Sequence, residues 1–192
     1  MWQEPADLGS GGAPPSREPP ASRANQRGAA DRPAPYDQTS LAVRAVAPVA
    51  GNLELQASLA TFRDQRERCT AFSAIRTDGA DASLRLVADG RLPFAIVGYV
   101  QTRSFYNSFA ALDDARATAT RVAEQYSVPS TGLGARAELR PRAGPFDLRI
   151  GGDWRATEGR TRERFLFVNG VGTRGRVAGG RSSTFGAFAE AT

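Results

Sequence analysis

The 192-residue chain sets 25 basic residues, every one an Arg, against 20 acidic ones, with no His, a single Cys and a net charge of +5. Without His, and with Cys69 alone, it cannot assemble a His-based triad, a Cys/His zinc site or a 2-His-1-carboxylate iron site from its own residues. Neither a metal nor a cofactor is expected, and the arginines form no basic run of the kind that marks a nucleic-acid contact.

Residues 1–39 are rich in Pro, Gly, Ser and Arg, a composition that buries no core and reads as a disordered or extended loop. No basic-then-apolar leader opens the chain. From about Thr39 onward the hydrophobic period is two. In "LELQASLATFR", Leu53, Leu55, Ala57 and Leu59 oppose Glu54, Gln56 and Ser58. In "TGLGARAELR", Leu133, Ala135, Ala137 and Leu139 oppose Gly134, Arg136, Glu138 and Arg140. The longest alternation is "FDLRIGGDWRATE", with Phe146, Leu148, Ile150, Gly152, Trp154 and Ala156 on one face and Asp147, Arg149, Gly151, Asp153 and Arg155 on the other. Further strands are read at 41–47, 82–89, 94–106 and 181–191. A soluble strand averages only about five or six residues, whereas a tilted membrane-crossing strand needs about nine to eleven.

The connections alternate in length. "PVAGN" (48–52), "DGRLP" (89–93) and "PRAGP" (141–145) read as tight turns, and 64–81, 107–130 and 158–180 as long loops. Short turns at one end and long loops at the other are the habit of outer-membrane barrels. Within 107–130, the spacing of Phe109, Leu112, Ala115, Ala119, Val122 and Tyr126 predicts one short helix. The carboxylates Asp113, Asp114 and Glu124 offset the arginines of that segment. They argue against a membrane-surface helix, and no carboxylate pair marks an acid–base site.

"FLFVNGVGTRGRVAGG" (165–180) contains a literal G-x-G-x-x-G at Gly170, Gly172 and Gly175, with an acidic residue, Glu190, twenty positions on. A dinucleotide site needs a helix directly after those glycines. "RVAGGRSSTFG" is a poor helix, so the segment reads as a flexible loop between strands, with Glu190 at a strand end. No catalytic residue is nominated and the chain is not expected to be an enzyme.

In the second half, Asp153-Trp154, the aromatic patch of Phe165 and Phe167, the run Arg176 to Gly180 and the strand Gly186 to Glu190 follow one another, and 105–141 forms a further loop-and-strand stretch. Together these resemble a bacterial TonB-dependent outer-membrane receptor. The resemblance covers roughly residues 40–192. The family implies a barrel of about 22 strands around a plug, in the cell outer membrane. Its outer loops take up a scarce small-molecule ligand such as an iron–siderophore complex, and import is driven by the TonB energy-coupling complex.

About seven strands are present here, without a recognisable plug, an energy-coupling box or an aromatic C-terminal residue. The reading is therefore an internal barrel fragment, not functional alone, whose partners are the remaining barrel and plug and the outer-membrane lipid. The expected fold is all-β: an antiparallel meander of about seven long amphipathic strands, part of a transmembrane barrel, with one short helix in a long loop. On this reading Arg136, Glu138, Arg149, Asp153 and Arg155 line the lumen, where they contact plug or substrate or simply pair with one another. Trp154 and Tyr99 suit an interface girdle or core packing. The alternative is a small soluble β-barrel or sandwich that binds a ligand in water.

Overall fold

A computed structural model describes residues 27–192. The expected disorder of 1–39 falls largely outside the described residues. The described chain is all-β: β1 (Tyr36–Ala50), β2 (Leu53–Glu67), β3 (Ala74–Ala88), β4 (Phe94–Leu112), β5 (Ala119–Leu139), a two-residue β6 (Arg142–Ala143), β7 (Phe146–Val168) and β8 (Val171–Ala191). The strands form one antiparallel meander in the order β1-β2-β3-β4-β5-β7-β8, with β6 clipped onto the start of β7. The sheet curls into a half-barrel whose edges are β1 and β8.

The tight turns read from Gly are present. Gly51, Gly90 and Gly144 adopt φ of 52°, 116° and 64°, which side chains with a Cβ resist. They lie at one end of the sheet, the near end, in the connections 51–52, 89–93 and 140–145.

The three long loops expected at the opposite, far end are not loops. They shrink to 68–73, 113–118 and 169–170, and the rest of each segment is strand. The expected short helix is absent. Phe109 and Leu112 lie at the end of β4, Ala115 in a turn, and Ala119, Val122 and Tyr126 on β5. Asp113 closes that turn, its carboxylate accepting the amides of Ala117 at 2.7 Å and Thr118 at 3.2 Å. Strand pairing above and below satisfies the backbone that a helix would otherwise have to satisfy internally.

The glycine-rich segment is corrected in the same way. Asn169 and Gly170, with φ of 50° and 79°, form the two-residue turn of a hairpin whose register is unbroken from Leu148↔Ala191 to Val168↔Val171. Two positive φ values in a row are the signature of a type I′ turn, for which Asn-Gly is the preferred pair. Gly170 and Glu190 therefore stand at opposite ends of a strand, roughly 65 Å apart at ~3.3 Å per residue. No dinucleotide could bridge them.

Residues 28–35 lace along the far end before β1. Ala30 is 4% exposed, its amide donating to the Arg116 carbonyl at 3.0 Å, and the Arg32 amide donates to the Cys69 carbonyl at 2.8 Å. Asp31 bridges to Thr70 and pairs with the Arg116 guanidinium, tying this strap to two of the three far-end turns.

Candidate membrane belt and lumenal face

Cross-strand partners lie on the same face of a sheet, so the ladders sort the side chains into two surfaces. One surface carries Val43, Leu59, Ala82, Val100, Leu133, Ala156 and, on β8, the polar Ser183 in one row. The next row is Ala45, Ala57, Leu84, Gly98, Ala135, Trp154 and Phe185, and the one after it Ala47, Leu55, Leu86, Ile96, Ala137, Gly152 and Ala187. These rows make an apolar belt over all seven long strands, interrupted on β8 by Ser183.

On β7 the belt runs from Leu148 to Ala156. That is eight residue steps, roughly 26 Å along the strand and about 20 Å in height at a tilt near 40°. The row beyond it turns polar: Leu41, Thr61, Ala80, Thr102, Thr131, Glu158 and Arg181.

The belt is on the outside. Leu84 is 59% exposed and Phe185 74%, and Val43, Leu59, Ile96, Leu133 and Ile150 are likewise open. The opposite face is polar and lines the hollow of the half-barrel, and there Asp64 and Glu138 are buried. Ordinary globular domains bury apolar groups and bury charge only when it is paired. This sheet inverts that arrangement, with its carboxylates inside and its leucines outside.

The inner charges are paired, as the lumen reading allows. Glu138, 6% exposed, accepts from Arg136 at 3.0 Å, Arg140 at 2.7 Å and Arg149 at 3.0 Å, and Arg149 also reaches Glu190 at 3.6 Å. Arg136 and Arg149 lie over the Phe188 ring at 5.1 and 5.4 Å. Asp153 faces Arg155 at 3.5 Å, and Asp81 meets Arg103 at 2.8 Å. The structure thus gathers Arg136, Glu138 and Arg149 into one cluster at the near end and leaves Asp153 and Arg155 as a separate pair. An open groove of about 960 Å³ adjoins the cluster, lined by Arg91, Arg140, Arg142, Asp147, Arg149 and Glu190.

The two aromatics separate. Trp154 is on the outer belt, its indole N–H donating to Ser183 Oγ at 2.9 Å. Tyr99 is on the inner face, its ring lying across Gly134 so that a Cβ there would overlap it. It therefore belongs to no outer girdle. Phe62 covers Gly79 and Phe188 covers Gly151 in the same manner. These glycines admit a ring laid flat on the inner face, where strands are drawn together by curvature.

Beyond the belt the strands continue, and charged and polar side chains are interspersed with exposed apolar ones such as Val122, Val168 and Val177. Arg121 lies 5.2 Å from the Phe72 ring and 5.5 Å from the Phe167 ring, while Arg68 lies 5.5 Å from Phe109. Ser108, 2% exposed, accepts the Ala74 amide at 3.0 Å. Arg116 and the Gly28 amide hold the Asp31 carboxyl below the usual carboxylate range, and hydrogen bonds from Thr118 do the same for Asp113. The far end is therefore a braced rim. The sequence signal that would have exposed the rim is the Asn-Gly pair at 169–170, overshadowed by the glycine spacing around it.

No helix among the described residues is long and apolar enough to cross a membrane, and no group of three or more His, Cys, Asp or Glu there could hold a metal. No family model, curated protein or solved structure matches the chain.

Proposed function

We propose that this chain is a wall segment of a transmembrane β-barrel, its outer belt against lipid and its charged inner face toward a water-filled lumen. The observation that carries the reading is the inverted burial: apolar side chains exposed on every long strand of one face, carboxylates buried on the other. In water, an exposed apolar surface of this extent is a liability; in a bilayer it is the required exterior, and paired charges are the required interior. The belt's height of about 20 Å approaches the ~25 Å apolar band of such barrels.

Within that class, the motif resemblance favours a TonB-dependent receptor of the outer membrane. The far-end rim would then face the captured small-molecule ligand, and the Glu138 cluster the plug. Two open edges make independent transport by this chain unfavourable, because each unpaired amide in hydrocarbon costs several kcal/mol.

The test uses Trp154 as a depth gauge. A Trp2→Phe chain, folded with phosphatidylcholine vesicles carrying brominated acyl chains, should show strong quenching of Trp154 and heat-modifiable migration on a gel. Unquenched fluorescence together with a sharp urea transition in plain buffer would instead establish the soluble β-barrel or sandwich.

A further inference from the structure

Strand count and direction restrict what can complete this sheet. Among the described residues the long strands β1, β2, β3, β4, β5, β7 and β8 number seven, each antiparallel to its neighbour. Because seven is odd, the two edges run the same way: β1 from the far end at Tyr36 to the near end at Ala50, and β8 from the far end at Val171 to the near end at Ala191. Both edges present unpaired backbone N–H and C=O groups beside the apolar belt, where no water is available if the belt meets lipid.

We infer that the edges of β1 and β8 are docking sites for a further β-segment, outside β1–β8, with an odd number of spanning strands, whose own two edges run from near end to far end. This rests on the barrel-wall reading above. Such a segment gives an even total and antiparallel ladders at both seams, the rule for bacterial outer-membrane barrels. Opposite β8 it presents outward-facing apolar residues level with Phe185, Ala187 and Ala189. Opposite β1 it does so level with Val43, Ala45 and Ala47.

A second copy of this chain in the same orientation does not fit, since it would set β8 against β1 in parallel at both seams. An inverted copy restores antiparallel seams. It would have to carry the extension of β7 and β8, with Arg160, Arg162, Arg164, Arg174 and Arg176, across the bilayer, where each Arg costs ~2–4 kcal/mol at the midplane.

The chain supplies its own probes. A fragment of residues 53–168 holds five spanning strands with edges β2 and β7, both running from near end to far end. A fragment of residues 36–139 also holds five, with edges β1 and β5, both running the other way. The full chain is added from outside to preformed dilauroylphosphatidylcholine vesicles, alone or with either fragment, so that every molecule inserts in one orientation. It is then extracted in mild detergent for native mass spectrometry.

The expected result is a 1:1 complex with fragment 53–168, at least tenfold more abundant than any with fragment 36–139, and no dimer of the full chain. Equal capture of both fragments, capture of neither, or a full-chain dimer trapped by an Ala45→Cys to Ala187→Cys disulfide in a Cys69→Ser background would each overturn the inference. Quenching of Trp154 in the same vesicles is read separately, and its loss would remove the barrel-wall reading itself.

Discussion

Leu84 and Ser83 are neighbours in sequence and face opposite sides of β3, so the same substitution at each tests whether the two faces of this sheet meet different solvents. Leu84 is the middle of the outer apolar run Ala80–Ala88 and pairs with Ala57 and Gly98. Ser83 pairs with Ser58 and Tyr99 on the inner face. With the belt in hydrocarbon, Leu84→Arg places a guanidinium near the midplane at ~2–4 kcal/mol. It also forfeits lipid contact over the 59% of Leu84 now open, about 1–2 kcal/mol of the ~1.5–3 that full burial provides.

The sum is about 3–6 kcal/mol, whereas Ser83→Arg, into a wet and already charged interior, should stay within about 0.5 kcal/mol. Equilibrium urea unfolding of both variants in dodecylphosphocholine micelles, followed by Trp154 fluorescence, reads the difference. A Leu84→Arg variant as stable as the parent would refute the reasoning. That result is expected of a sheet whose belt stands in water.

Other expectations follow from the inner face and the rim. Glu138→Gln removes the carboxylate shared by Arg136, Arg140 and Arg149 and should cost ~1–3 kcal/mol in the same unfolding assay; the Arg side chains are one-third to one-half exposed, which limits the loss. Gly134→Val drives a branched side chain into the Tyr99 ring and should cost ~1–3 kcal/mol. A Tyr99→Ala, Gly134→Val double variant should recover part of that loss, and strict additivity would disprove the ring–glycine contact.

Because the Asp31 carboxyl is held below its unfolded range, the strap's attachment is complete above about pH 4, where the free carboxyl is ionised. It is lost as pH falls through the depressed folded value. The protection of the Ala30 amide from hydrogen exchange, corrected for the intrinsic rate at each pH, should fall in that acidic window, and in Asp31→Asn it should be low at every pH.

The sequence by itself determined the strands wherever the two faces of the sheet differ in polarity. Leu53 to Leu59, Leu133 to Leu139 and Leu148 to Ala156 alternate because one side of each strand is apolar-facing and the other is not, and the structure places each run on the belt with the expected parity. The near-end turns were legible for a local reason as well, since Gly51, Gly90 and Gly144 occupy conformations that other residues resist.

The far end was not legible. Above the belt β4, β5, β7 and β8 mix polar and apolar residues without sustained alternation, so a strand there leaves no clear period of two. Residues such as Arg160, Thr161, Arg162 and Glu163 read as loop although they sit in an unbroken ladder. The helical spacing from Phe109 to Tyr126 was a coincidence across a turn that Asp113 closes. What tertiary structure alone decided was which surface is outside. Alternation says that two faces differ, and only the curl of the sheet puts Glu138 in the hollow and Leu84 on the outside of the half-barrel. The direction of the two edges was likewise settled only by the pairing, in which seven long strands of the described residues run end to end.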